Sequence, residues 1–203
     1  MTSGVISLPA TRQKGEIRLI NEPSCAILVP PILAARSYVS PRARPITPEE
    51  AETRRIAYAL KRGGEIQAAA REMVSLLPPD LPTLTFVPVP ASTGSIEANL
   101  ILARAIAAEY SPQARVVLAL RRSMPVESSC ARRRRGLPGL TAAAHKFMRV
   151  GGWFSLPVFL VDNVVTTGAT LAAARHALGF GMGLVFADAS PIHQSAAKRV
   201  TTG

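Results

Sequence analysis

The sequence predicts an α/β protein: a parallel twisted sheet flanked by helices, preceded by a small β-rich amino-terminal segment. Three observations predict it. From residue 84 onward, short apolar runs alternate with helical patterns. Those runs are continuously apolar, as strands covered on both faces are. Polar clusters fall where the runs end, which is where open parallel sheets bind ligands. A chain of 203 residues with 48% hydrophobic and 18% charged residues can bury a sizeable core and does not have a disordered composition.

The elements follow in order. Residues 1–45 hold short apolar runs at 5–8, 16–20 and 26–29, bounded by Pro, Gly and Asn. They are expected to form a β-rich segment or hood, with the α/β core spanning 46–203. Thr47-Pro48-Glu49-Glu50 is a capping box with Pro at the first helical position, and Gly63-Gly64 ends that helix. A second helix is expected over 65–77, stopped by Pro78-Pro79. "LTFVPVP" (84–90) is a strand, and 95–110 a helix with Ile96, Leu100, Ala103 and Ala107 on one face. "RVVLAL" (115–120) is the next strand, and the basic stretch after it has no clear periodicity. "PVFLVDN" (157–163) is a third strand, followed by a helix over 169–178 with Leu171, Ala174 and Leu178 inward. "GLVFADA" (183–189) is a fourth.

Composition excludes several classes. The longest apolar run, 26–35, is cut by Pro30 and Pro31 and falls short of a membrane span. The first twelve residues lack a basic-then-apolar secretory pattern, and Cys25 and Cys130 form no CxxC pair. Both cysteines are expected to be reduced thiols in a cytoplasmic protein. His145, His176 and His193 are scattered and offer no zinc set.

Net charge is +11, and one stretch supplies most of it. Between residues 115 and 149, nine basic residues stand against one acid, Glu127. Three readings are open: a solvated loop, a loop that closes over a polyanion, and a non-specific nucleic-acid contact through Arg132, Arg133, Arg134 and Arg135. Phe147 and Trp153 alone lie near these arginines, so stacking platforms for bases are unsupported.

"VDNVVTTGAT" (161–170) is the most informative string. Gly168 permits a backbone conformation closed to other residues, so successive N–H groups can converge on one point. The following helix adds its positive end, and Thr166, Thr167 and Thr170 add neutral hydroxyl donors. Together they suit a phosphate monoester, with Ala169 supplying backbone. No lysine lies in the turn, unlike the phosphate loop of nucleoside triphosphatases. Asp162 and Asn163, just before it, can accept hydrogen bonds from the hydroxyls of an attached sugar. The plain alternative is a well-capped turn.

These residues resemble the phosphoribosyl-diphosphate (PRPP) motif of type I phosphoribosyltransferases: hydrophobic-Asp/Glu-Asp-x-x-Thr-Thr-Gly-x-Thr. The resemblance is closest to the competence protein F (ComF)-like branch. "YALKRGGEI", "FVPVPAS", "EANLILARAIA" and "LRRSMPVESSCARRRRGL" resemble, in order, its upstream helix end, pyrophosphate-loop strand, following helix and flexible basic loop. Two departures stand out. The motif's second acid is Asn163 here, and the cysteine-rich zinc module common in that branch is absent.

The resemblance implies a PRPP-dependent transfer of 5-phosphoribosyl to a nucleobase-like small molecule, with Mg²⁺ and release of pyrophosphate. Residues 166–170 would hold the 5′-phosphate. Asp162 and Asn163 would hold the ribose hydroxyls, Asp162 also meeting Mg²⁺ through water. Backbone N–H groups of Ala91, Ser92, Thr93 and Gly94 would grip the pyrophosphate. Arg121 or Arg122, directly after a strand, would neutralise the leaving group more readily than the arginine run. Asp188 either hydrogen-bonds the base or caps a turn. Related enzymes are often homodimers. Losing a carboxylate at Asn163 costs about 1–3 kcal/mol, one to two powers of ten in rate. The alternative is therefore a catalytically weak PRPP-binding sensor or nucleic-acid-associated protein.

Overall fold

The computed structural model describes residues 31–39, 44–79, 81 and 83–189. The runs at 5–8, 16–20 and 26–29, and with them Cys25 and His193, lie outside these residues. The remainder is an α/β fold: a five-stranded parallel sheet flanked by helices, with a small antiparallel hairpin beside it.

The sheet comprises β1 (Ile32–Ser37), β2 (Thr85–Pro88), β3 (Arg115–Val116), β6 (Val158–Val165) and β7 (Met182–Asp188), and the hairpin comprises β4 (Leu120–Arg122) and β5 (Phe147–Arg149). Strand order is β1-β7-β6-β2-β3, with every pair parallel. The core therefore begins earlier than residue 46: β1 lies inside the segment expected to be hood, and it pairs with β7 from Ile32↔Gly183 to Ser37↔Asp188. Its six residues show no alternation and follow two prolines, so pairing rather than local pattern makes them a strand. Arg36 anchors this edge to a helix through a bidentate pair with Glu72, at 2.6 Å for each bond.

Helix α1 (Pro48–Leu60) starts with the expected capping box: Glu50 N–H donates to Thr47 Oγ1 at 3.2 Å, and Thr47 N–H to Glu50 Oε2 at 2.9 Å. Helix α2 (Ile66–Val74) starts one residue later than predicted, because Glu65 adopts a left-handed conformation. Helix α3 is Glu97–Tyr110 and helix α5 is Ala169–Leu178.

Strand alternation divides the core into two layers. Phe86, Phe159, Leu184 and Phe186 face α1, α2 and α3, where Leu60, Met73, Leu102 and Ile106 meet them. Val87, Leu160 and Val185 face α5 through Leu171, Ala174 and Leu178. Each fully buried Phe or Leu contributes roughly 1.5–3 kcal/mol. Gly183 allows the close approach at the second layer: a Cβ there would lie 2.9 Å from Leu171 Cδ1.

The run "RVVLAL" does not remain one strand. After Val117 N–H donates to Phe86 O, Ala119 N–H folds back onto Val117 O, and residues 120–122 join the hairpin instead. The basic stretch, expected to be irregular, also contains a short helix, α4 (Ser129–Arg134), capped by Ser128. Among the described residues, no helix is long and apolar enough to cross a membrane.

Candidate functional site: a cationic cavity at the carboxyl ends of the strands

A cavity of about 940 Å³ opens beyond the carboxyl ends of β1, β7, β6 and β2, the place the parallel topology favours for a ligand. It gathers segments far apart in sequence. Residues 162–170, residues 91–93 and Arg122 all line it.

The turn after β6 is built as the sequence suggested. Gly168 has φ +75°, a left-handed conformation, and is the N-cap of α5. The first α5 bond within the helix runs from Ala172 N–H to Gly168 O at 2.8 Å. The N–H groups of Gly168, Ala169, Thr170 and Leu171 therefore have no acceptor inside the helix, that of Ala169 donating to Thr167 Oγ1 at 3.4 Å, and all four residues line the cavity. Such an end attracts an anion through its N–H groups and its dipole.

Asp162 and Asn163 were expected at the strand's end, but β6 continues to Val165 through Val164↔Ala187 and Val165↔Asp188. Both residues therefore sit on rigid, paired backbone. Asp162 Oδ1 accepts from Asn163 N–H at 2.8 Å and from Asn99 Nδ2 at 3.1 Å. Asn99 also donates to Val89 O at 2.7 Å, so one amide joins α3, β6 and the loop after β2. Burial pushes the Asp162 carboxyl above the ordinary carboxylate range, opposed by these two bonds and, farther off, by Lys61 and Arg122. Among the described residues, Oδ2 has no protein donor.

The loop after β2 partly satisfies itself. Ala91 N–H donates to Ser95 O and Gly94 N–H to Ala91 O, at 2.8 and 2.9 Å. Of the four N–H groups assigned to pyrophosphate, those two are engaged, while those of Ser92 and Thr93 have no backbone acceptor among the described residues. Gly94 does not line the cavity.

Arg121 and Arg122 separate cleanly. Alternation along β4 leaves Arg121 exposed and buries Arg122 at 6% exposure. Arg122 Nε donates to Ala91 O at 2.9 Å and Nη2 to Pro90 O at 3.3 Å, while its guanidinium carbon lies 4.3 Å from the Phe147 ring centre. Nη1 lies 3.2 Å from His145 Nδ1. Guanidinium can only donate, so Nδ1 accepts and the neutral imidazole carries its proton on Nε2. Burial, then the Arg122 cation, hold His145 below its usual pKa. His145, one of the three scattered histidines, is buried and lines the cavity.

The arginine run divides by partner. Glu127 holds Arg135 at 3.1 Å and Arg132 at 3.6 Å, and Arg132 Nε also donates to Pro138 O. Arg133 and Arg134 line the cavity. A further wall comes from residues that carry no local motif: Tyr38, just past β1, Arg54 and Tyr58 on α1, and Lys61, its C-cap. Their spacing of four and then three puts the α1 residues on one helix face. Asp188 is buried and does not line the cavity, and its backbone O accepts from Tyr38 N–H at 2.7 Å.

Five cations (Arg54, Lys61, Arg122, Arg133 and Arg134) line the cavity against two acids, Glu127 and Asp162. That imbalance suits a ligand with several negative charges. No group of three or more His, Cys, Asp or Glu is placed to hold a metal among the described residues. Comparison of the chain with protein-family models and with curated proteins finds no match.

Proposed function

We propose that the chain is a PRPP-dependent phosphoribosyltransferase with a type I phosphoribosyltransferase-like fold. It would move 5-phosphoribosyl to a base and release pyrophosphate. One observation carries this reading: an anion-binding turn, an acid–amide pair and the loop after β2, some seventy residues away, line the same cationic cavity.

In this reading the 5′-phosphate rests on the α5 end and the hydroxyls of Thr166, Thr167 and Thr170. Asp162 takes ribose hydroxyls with Oδ2 while Oδ1 stays fixed by Asn99 and Asn163. The N–H groups of Ser92 and Thr93, with Arg133 and Arg134, receive the pyrophosphate. Arg122 acts by holding the Pro90 and Ala91 carbonyls, and so the loop, in place. Charge developing on the leaving oxygens then meets donors that need no reorganisation.

Asp162 fits a Mg²⁺ that is otherwise held by ligand oxygens and water, the usual arrangement for this ion. A bound Mg²⁺ would supply charge neutralisation for the pyrophosphate.

Asn163 favours one second reading, a PRPP-binding sensor with little or no turnover. The two part company in one experiment: incubate the protein with Mg-PRPP and a panel of free bases, measuring pyrophosphate. An enzyme releases pyrophosphate only when the right base is present, whereas a sensor binds PRPP and releases none. Absence of Mg-PRPP binding would remove both.

A further inference from the structure

We propose that the wall formed by Tyr38, Arg54, Tyr58 and Lys61 is the acceptor subsite, and that it selects a heterocycle bearing a ring carboxylate. This inference rests on the phosphoribosyl-transfer reading of the same cavity. Its first support is placement. In the order β1-β7-β6-β2-β3, the anion-binding turn follows β6 and the loop 91–95 follows β2. Tyr38 stands on the opposite side, following β1 directly with its N–H donating to Asp188 O at the end of β7, and α1, which carries Arg54 and Tyr58, packs against β1 and β7 as well as β6. An incoming nitrogen and a departing pyrophosphate must lie on opposite sides of the sugar carbon. With the leaving group beside β2, the nucleophile's place is beside β7 and β1.

The second support is an unmet demand. Three other arginines of the described residues near α1 each hold a carboxylate: Arg36 with Glu72, Arg44 with Glu50, and Arg55 with Glu52 and Glu65, whereas Arg62, just past the helix end and outside the cavity lining, does not. Among the described residues, Arg54 forms no ion pair. Its neighbours are the phenols of Tyr38 and Tyr58, whose hydrogen bonding raises its pKa, and its Nε is buried with no hydrogen-bond partner among the described residues. Arg54 lines the cavity, and since its Nε is covered by protein, a ligand carboxylate would meet the guanidinium through its Nη groups and supply the ion pair Arg54 lacks. Burial raises the Tyr38 pKa, so its phenol remains protonated at neutral pH. Lys61 lies over the Tyr58 ring at 5.6 Å and adds a second positive charge. A neutral base of the same shape would leave the Arg54 and Lys61 charges without a counter-charge, and sites built for a polar partner discriminate strongly against analogues lacking it.

The transfer itself balances simply. A ring-nitrogen lone pair forms the new bond to C1 of the sugar as the C1–O bond to pyrophosphate breaks. Pyrophosphate leaves with that electron pair; an acceptor nitrogen that carries a proton, as in orotate, gives it to solvent, and a pyridine nitrogen, as in nicotinate, becomes quaternary with no proton released. The wall holds the acceptor and takes no covalent part.

The test uses matched pairs that differ only in the ring substituent: orotate against uracil, and nicotinate against nicotinamide. Pyrophosphate release with Mg-PRPP is measured for wild type, Arg54→Met and Arg54→Lys, and calorimetry measures acceptor binding with and without Mg-PRPP. The expected result is a preference for a carboxylate over its neutral partner. Arg54→Met should lower kcat/KM for the carboxylate by roughly 10- to 100-fold, mainly through KM, and Arg54→Lys by less. Equal use of both members of each pair, or an equal loss for both in Arg54→Met, would overturn the proposal. Should Arg54→Met fail to fold, the wild-type preference and Arg54→Lys decide. If wild type does not bind Mg-PRPP, the transfer reading falls, and carboxylate binding without PRPP, lost in the Arg54 variants, still judges the wall.

Discussion

Arg122→Met tests how the cavity is held together. The substitution keeps most of the side-chain length, and with it contact with Phe147, but removes three donors and a charge. Pro90 O, Ala91 O and His145 Nδ1 lose their partners at 3.3, 2.9 and 3.2 Å. A hydrogen bond from a charged donor contributes about 1.5–3 kcal/mol, with the two longer bonds here at or below the bottom of that range. The cation–ring contact adds about 0.5–2 kcal/mol. Relief from burying the guanidinium, whose pKa burial lowers, offsets part of the sum. The net loss should be roughly 2–4 kcal/mol, a fall in Tm of roughly 5–15 °C for a chain of this size. Urea unfolding followed by circular dichroism measures it, with Arg121→Met as the control. Exposed Arg121 should change stability by no more than about 0.5 kcal/mol. Equal effects from the two arginines would refute the assignment of loop anchoring to Arg122.

Asp162 is expected to trade stability for binding. Its folded pKa is raised, so the favourable protonated form is fully present below the unfolded value near 3.8 and its contribution is lost as pH rises through the folded value. At pH 7.5, Asp162→Asn should therefore hold or raise the urea midpoint while weakening Mg-PRPP binding at least about tenfold, and a lower midpoint with unchanged binding would contradict this. Asn163→Asp should tighten Mg-PRPP by roughly 5- to 50-fold by calorimetry, yet destabilise the Mg²⁺-free protein by placing a second acid beside Asp162. No change, or weaker binding, counts against Asn163 as a ribose contact. His145 has a folded pKa below its unfolded one, so its contribution to stability is full above about pH 6.5 and falls as the pH drops below that. His145→Gln should flatten the decline in the urea midpoint between pH 7 and pH 5, and an unchanged slope would remove His145 as its source.

β2, α3, β6, α5 and β7 were legible because continuously apolar runs alternate there with helical patterns. Thr47 and Glu50 announced α1, and Gly168 announced the start of α5. The misses share a cause. β1 is six residues whose strand character comes from Ser37, Ala34 and their neighbours pairing with β7, a contact some 150 residues away in sequence. β4 and β5 likewise define one another only once the chain leaves the sheet after Val117. In the site, Thr166, Thr167 and Gly168 are contiguous and so readable. Tyr38, Arg54 and Lys61 are not, because the fold brings them to the cavity from β1 and α1. His145 became informative only through Arg122. Asn99 did leave a signal: an amide amid the apolar residues of a helix asks for a partner, and Asp162 and Val89 O supply it.

The central claim is that the α5 end around Gly168 grasps the phosphate of a sugar held by Asp162. Titrating ribose 5-phosphate into wild type and Gly168→Val tests it most directly, because neither pyrophosphate nor base takes part. At φ +75° a β-branched residue is strained by roughly 1–2 kcal/mol, which should distort the turn without unfolding the chain. Binding by wild type and its loss in folded Gly168→Val is the predicted result. Equal binding by both proteins, or none by wild type, would contradict the account.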